Sequence, residues 1–178
     1  IKEINEALFN LDCSYEIILV DDGSKDNTVN IIKNINLNNL ILIQNSKNYG
    51  QSYSLREGIK NANNNLIITL DGDMQNNPHD ISSLLDLYKT DSFKLIGGIR
   101  KKRKDNLIKI ISSYLANKIR MLILNDDCID TGCSLKLFDK NIFLKFPYFD
   151  GLHRFLPALF KGYGYKTSFI EVDHRKRY

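Results

Sequence analysis

Tryptophan is absent from this chain of 178 residues, and proline, cysteine and methionine are scarce, at three, three and two residues. The thiols Cys13, Cys128 and Cys133 are odd in number and form no Cys-x-x-Cys pair. That excludes a disulfide-stapled scaffold and a structural zinc site, and reduced thiols in a cytosolic compartment are the simple reading. No stretch reaches the roughly 18 uninterrupted apolar residues of a membrane span, so no helical span is expected in this chain. A large excess of one charge is missing too: 25 Lys and Arg against 21 Asp and Glu leave +4. Such a balance suits an anionic ligand or a membrane surface, and it falls short of the basic density of a nucleic-acid binder. With 43% hydrophobic and 26% charged residues, the composition is that of an ordered globular protein, and residues 1–178 are expected to form a single domain.

Hydrophobic periodicity sets the organisation. Ile1, Ile4, Ala7 and Leu8 recur at helical spacing, and the apolar run Tyr15 to Val20 follows as a buried strand. Asp21-Asp22-Gly23-Ser24 breaks that strand, and Asp26 or Ser24 can cap a helix through Val29, Ile31 and Ile32. Leu40 to Ile43 is a second strand, Leu55, Ile59 and Ala62 mark another helix, and Leu66 to Leu70 is a third strand. Pro78 stands near the first turn of a helix carrying Ile81, Leu84, Leu85 and Leu87, and Lys94 to Ile99 is a fourth strand. Beyond it come a long helix from Leu107 to Leu124, an apolar run Leu135 to Phe138, helices near Asn141 to Phe146 and His153 to Phe160, and a strand around Thr167 to Val172. Strands alternating with helices define an α/β fold with a mostly parallel sheet covered by helices on both faces. The chain opens on Ile1 inside a helical pattern, so the expectation is a fragment with segments missing at both ends.

Ligands of such sheets bind beyond the carboxyl ends of the strands. Two acidic clusters stand there: Asp21-Asp22 after the first strand and Asp71-Gly72-Asp73-Met74-Gln75 after the third. Two carboxylates two residues apart on a tight turn offer hard oxygen ligands, which suit a divalent ion carrying waters and a phosphate. An ordinary solvated turn has the same composition.

Taken together, Val20 to Thr28 and Leu70 to Pro78 resemble the two signatures of family 2 glycosyltransferases with the GT-A (Rossmann-like) fold. The second signature, Asp-x-Asp-x-Gln followed by Pro, is most similar to the branch of dolichol-phosphate mannose synthase and bacterial polyprenyl-phosphate glycosyltransferases. Arg100 to Asp105, Ser112 to Asn117, Asp130 to Lys136 and His174 to Arg177 carry the resemblance through the rest of the chain. The family's first strand, with its nucleotide contact, would precede Ile1, so the fragment is expected to lack it.

The resemblance implies a set of roles. Asp71, Asp73 and Gln75 would form the site for Mg²⁺ or Mn²⁺ and the donor diphosphate. Asp21 and Asp22 would contact the nucleoside, Asp22 being the better candidate, with Gly23 letting the backbone approach and Lys47 contributing from the next loop. Arg100, Arg103, Arg175 and Arg177 would bind an acceptor phosphate, for which guanidinium forks are suited. Asp130, His153, Arg154 and His174 would lie around the acceptor. His79, Cys128 and Cys133 read as structural. The implied activity is inverting transfer of a sugar from a GDP- or UDP-sugar to a polyprenyl phosphate at the cytosolic face of a membrane, with no nucleic-acid partner. Two alternatives stay open at this point: a transferase of the same fold acting on a glycan hydroxyl, and a nucleotide-sugar binding module without turnover.

Overall fold

The computed structural model describes residues 1–9, 11, 13–101, 118, 120, 121, 123, 124 and 126–176. Arg103, Arg177 and most of the expected helix Leu107 to Leu124 lie outside them; the described residues Lys118, Arg120, Met121, Ile123 and Leu124 are helical. The described order is α1 (Lys2–Phe9), β1 (Ile17–Asp21), α2 (Thr28–Lys33), β2 (Leu40–Gln44), α3 (Gln51–Asn61), β3 (Leu66–Thr69), a 3₁₀ turn (Pro78–Asp80), α4 (Ile81–Thr90), β4 (Leu95–Lys101), β5 (Lys136–Asp139), α5 (Lys140–Phe143), α6 (Leu152–Gly162) and β6 (Thr167–Asp173).

The strands form two hydrogen-bonded sheets. In one, β1 and β2 pair in parallel from Ile17 opposite Leu40 to Asp21 opposite Gln44. The other has the order β3-β5-β4-β6. Here β4 and β6 are parallel from Leu95 opposite Thr167 to Lys101 opposite Asp173, whereas β5 runs antiparallel to both neighbours. The sheet is therefore mostly parallel, as the alternating pattern implies, with one reversed strand that local periodicity cannot signal, because strand direction is set by partners remote in sequence. Among the described residues no strand pairs with the second edge of β1 or of β3.

Period-two alternation explains how a layer of helix covers each face of the larger sheet. On β4 and β5, Leu95 and Phe138 point into a cluster with Ile59 of α3, Phe143 of α5 and Leu152, Leu156 and Phe160 of α6. Their neighbours Ile96 and Leu137 point the other way, into a cluster with Leu8 of α1, Ile81 and Leu84 of α4 and Val172 of β6. Leu95, Ile96, Leu137 and Phe138 are fully buried, as strands sandwiched between two helical layers require.

Element ends differ in detail from expectation. The strand from Leu66 stops at Thr69, freeing Leu70 for the loop. The helix expected near Asn141 to Phe146 is the short α5, capped by the Asp139 carboxylate, which accepts from the Ile142 N–H. Pro78 opens a separate 3₁₀ turn instead of α4 itself, and Asn77 caps that turn by accepting from the His79 N–H.

Gly23, after β1, has φ of 79°, and a Cβ there would stand 2.6 Å from the Lys47 carbonyl carbon. The turn after β1 and the loop after β2 touch through this glycine. Gly23→Ala is expected to lower unfolding stability by at least about 1–2 kcal/mol from the backbone conformation alone, with the backbone contact adding to it; urea denaturation against the parent chain checks this.

Candidate functional site

A small, half-open polar pocket lies at the carboxyl ends of β3 and β4, lined by Asp71, Asp73, Gln75, Asn76, Arg100, Gly132, Ser134 and His174. Its acidic wall is the loop after β3. The Asp71 N–H donates to the Ser134 hydroxyl at 3.2 Å, and the Asp71 carboxylate accepts from the Gln51 side chain at 2.9 Å. Asp73 turns back on its own loop and accepts from the Gln75 N–H at 3.2 Å. Between them Met74 has φ of 62°, the left-handed region that side chains other than glycine rarely occupy, and it is 56% exposed. Such backbone strain persists only where the surroundings hold it, and here it sits between Asp73 and Gln75.

The basic wall comes from β4 and the segment after β6. Arg100 forks onto Asp130: Nε and Nη2 each donate to a carboxylate oxygen at 2.7 Å, and the Arg100 N–H adds a third bond at 3.1 Å. Both side chains are largely buried, so this is a desolvated bidentate pair, and Asp130 orders the arginine that lines the pocket. Gly132 lies against that guanidinium, with a hypothetical Cβ 2.8 Å from Nη2. Beyond β6 the chain pairs with the acidic loop itself: His174 bridges Asn76, the Arg175 N–H donates to the Gln75 carbonyl at 2.8 Å, and the Gln75 amide donates to the Arg175 carbonyl at 3.3 Å. The Arg175 guanidinium is held by Asn77 at 3.0 Å and by Glu3 at 2.6 Å. The hydrogen bond and charge of Arg175 hold the Glu3 carboxyl below its ordinary range.

The β1 cluster sits apart from this pocket's lining. Asp21 accepts from the Ser24 N–H at 3.1 Å, closing the turn after β1. Asp22 accepts from the Asn45 side chain at 2.8 Å, the Tyr49 N–H at 3.0 Å and the Gly50 N–H at 2.8 Å. Burial pushes the Asp22 carboxyl up, but these bonds and one from Ser54 outweigh it and hold the group below the ordinary carboxylate range. Lys47 in the same loop stands 5.2 Å over the Tyr49 ring. One relay joins this loop to the pocket: Gly50 binds Asp22, and the next residue, Gln51, binds Asp71.

His153, at the start of α6, shares a 2.8 Å hydrogen bond with Ser52 of α3, whose hydroxyl also accepts from the Gly151 N–H. Burial lowers the His153 imidazole, the positive charges of Arg154 and Lys136 lower it further, and Asp71 works against them. Arg154 beside it is exposed.

The pocket thus gathers Asp71, Asp73, Gln75, Arg100 and His174, with Asp130 bonded to Arg100 and the Arg175 backbone bonded to Gln75. Asp21, Asp22, Gly23, Lys47, His153 and Arg154 are outside its lining. Sequence reasoning did not single out Asn76, Gly132, Ser134 or Gln51. The first lies inside the acidic signature and the next two inside the Asp130 to Lys136 match, but the contact that counts, Ser134 to Asp71, spans 63 residues. The donors around Asp71 and Asp73 are carboxylate, amide and hydroxyl oxygens, a hard set that fits Mg²⁺ or Mn²⁺. Among the described residues no group of three or more His, Cys, Asp or Glu side chains gathers to hold a metal. Two carboxylates would leave most of an ion's shell to water and a ligand phosphate, as Mg²⁺ prefers.

Solved structures agree on the fold. Mannosyl-3-phosphoglycerate synthase from Rubrobacter xylanophilus superposes with a TM-score of 0.71 at 11% identity, over 99% of this chain and 61% of that one. Glucosyl-3-phosphoglycerate synthase from Mycobacterium tuberculosis, in complex with Mn²⁺, uridine diphosphate and glucosyl-3-phosphoglycerate, gives 0.71 at 13% identity, over 100% of this chain and 68% of that one. The architecture is that of the GT-A glycosyltransferases. Within that class, the chain belongs to glycosyl transferase family 2, whose model matches residues 1–146. Among curated relatives, the dodecaprenyl-phosphate galacturonate synthase of Rhizobium johnstonii is 36% identical over 91% of this chain and 49% of its own length. The undecaprenyl-phosphate 4-deoxy-4-formamido-L-arabinose transferase of Proteus mirabilis is 32% identical over 94% of this chain and 52% of its own length. The chain therefore spans about half the length of these relatives.

A pH prediction follows from His153. Its folded-state pKa lies below the ordinary value of 6.5, so folding favours the neutral ring. That contribution to stability is complete above about pH 6.5 and is lost as the pH falls through the folded value. Thermal melts from pH 7.5 to 5 are expected to show a steeper loss of Tm for the parent chain than for His153→Gln.

Proposed function

We propose that the chain is the catalytic part of an inverting glycosyltransferase that moves a sugar from a GDP- or UDP-sugar to a polyprenyl phosphate at the cytosolic face of a membrane. The observation that carries this reading is the pairing of opposite chemistries in one pocket, where Asp71, Asp73 and Gln75 share a cavity with Arg100 and His174. The printed names of the curated relatives, which describe transfer on dodecaprenyl and undecaprenyl phosphates, support the acceptor class.

In this reading Asp71, Asp73 and Gln75 hold the divalent ion, Mg²⁺ or Mn²⁺, which when bound neutralises charge on the departing diphosphate. Asp21, Asp22, Gly23 and Lys47 receive the nucleoside, with Asp22 presenting the loop it organises. Arg100 and His174 receive the acceptor phosphate with Arg175, and Arg103 and Arg177 belong to the same basic group. His153, Arg154 and Asp130 border the acceptor. A phosphate oxygen attacks the anomeric carbon, the bond from that carbon to the donor diphosphate breaks, and the nucleoside diphosphate leaves with the bond's electrons. The acceptor is already anionic, so no proton has to be removed and the protein contributes alignment and charge stabilisation. A hydroxyl acceptor would instead require a positioned base, and the Asp130 carboxylate receives three hydrogen bonds from Arg100.

Sugar transfer is measured with Mn²⁺, nucleotide sugar and short-chain polyprenyl phosphate, following both nucleoside diphosphate release and the lipid-linked product. Asp73→Asn is expected to slow transfer by about 100-fold or more, and a chelator should stop the parent chain. Arg175→Ala is expected mainly to raise KM for the polyprenyl phosphate. Full-rate transfer by Asp73→Asn in the presence of chelator would sink the reading. Release only with a glycan acceptor would assign a hydroxyl transferase, and binding without release a non-catalytic module.

A further inference from the structure

Lys136 has no part in the transfer described above, and its position is costly. It is 4% exposed at the start of β5, between the fully buried Leu135 and Leu137. Removing an ammonium from water is expensive, and an unbranched apolar side chain would fill the same space with no such penalty. Among the described residues, no carboxylate lies within salt-bridge distance of its Nζ. The donors go to backbone instead: Nζ bonds the Cys133 carbonyl and reaches the Thr131 carbonyl at 3.5 Å. Lysine brings three donors and no acceptor, which matches a site made of carbonyls.

Those carbonyls flank Gly132, the residue packed against the Arg100 guanidinium. One step before the turn, Asp130 forks onto Arg100. One step after it, the Ser134 hydroxyl accepts from the Asp71 N–H and donates to Asn76 at 2.6 Å, while the Ser134 carbonyl accepts from Thr69 at 2.6 Å. The turn from Asp130 to Ser134 therefore touches both walls of the pocket, and Lys136 is the side chain that ties its middle. Opposite Thr69 on β3 and Gly97 on β4, Lys136 is anchored in the strand that joins the two walls.

We propose that Lys136 is a positioning residue: its buried ammonium clamps the Thr131 and Cys133 carbonyls, and the clamped turn sets the placement of Arg100 relative to the Asp71 and Asp73 carboxylates across the pocket. The kinetic consequence rests on the proposed transfer to a polyprenyl phosphate; the structural consequence does not.

The test compares Lys136→Met and Lys136→Arg with the parent chain by hydrogen exchange of the amides from Asp130 to Leu135 and by steady-state kinetics with each substrate varied. Lys136→Met is expected to speed exchange in this turn without doing so in β1 and β2, and to raise KM for short-chain polyprenyl phosphate by about 10- to 100-fold, the range typical of supporting residues behind a site, with a smaller change in kcat. Lys136→Arg, whose guanidinium also donates to two carbonyls, should restore most of both. A folded Lys136→Met with parental exchange and parental KM overturns the proposal. If that variant does not fold, Lys136→Arg decides: parental exchange and KM support it, whereas a loosened turn with unchanged KM overturns it. Unfolding of both variants assigns Lys136 to the core alone and likewise overturns it. If the parent chain moves no sugar to polyprenyl phosphate, the functional reading fails on its own, and the exchange comparison still judges Lys136.

Discussion

The 3.2 Å hydrogen bond from the Asp71 N–H to the Ser134 hydroxyl joins the two walls of the pocket, and it exists because β5 is inserted antiparallel between β3 and β4. With Thr69 opposite Lys136, the residues after β3 and the residues before β5 must emerge at the same end of the sheet. A parallel strand in that place would carry the turn from Asp130 to Ser134 to the other end, and Arg100, which that turn orders, would lose its partner. The two carboxylates of the acidic loop and the arginine of β4 thus line one pocket through a register constraint.

Charge around the pocket is largely paired within the fold. Arg100 is held by Asp130, Arg175 by Asn77 and Glu3, and Asp22 by three donors from the loop after β2. Each of these groups gives up some freedom to be held in one orientation, and an orientation fixed in advance need not be established again when a charged ligand arrives. The left-handed backbone at Met74 belongs to the same economy, since its strain is retained in the loop that bears Asp73 and Gln75.

Much of the architecture was legible in the residue pattern. The strands that begin at Ile17, Leu40, Leu66, Leu95 and Thr167 overlap the runs that announce them, with β1, β2, β4 and β6 continuing one or two residues further; the buried start of β4 is apolar or glycine, whereas the part-exposed β6 carries Thr167, Ser168 and Glu171 among its apolar residues. The acidic loop and the basic segment after β6 were equally visible as candidate site residues. What stayed hidden were partners: Gln51 for Asp71, Ser134 for the same residue, Asn77 and Glu3 for Arg175. Each is an ordinary polar residue by type, and only proximity distinguishes it. Arg100 and Asp130 were both singled out, yet their pairing joins residues 30 apart and leaves no local trace.

By itself, the sequence determined the alternation of strands and helices, the chemistry available at the strand ends and membership of glycosyl transferase family 2, because periodicity and local motifs depend on neighbours along the chain. The tertiary structure alone decided that β5 runs against its neighbours, that the β1 carboxylates organise a loop outside the pocket while the β3 carboxylates line it, and that a buried lysine ties the turn between the two walls. These are matters of strand direction and burial, which are settled when residues far apart in sequence compete for the same interior space.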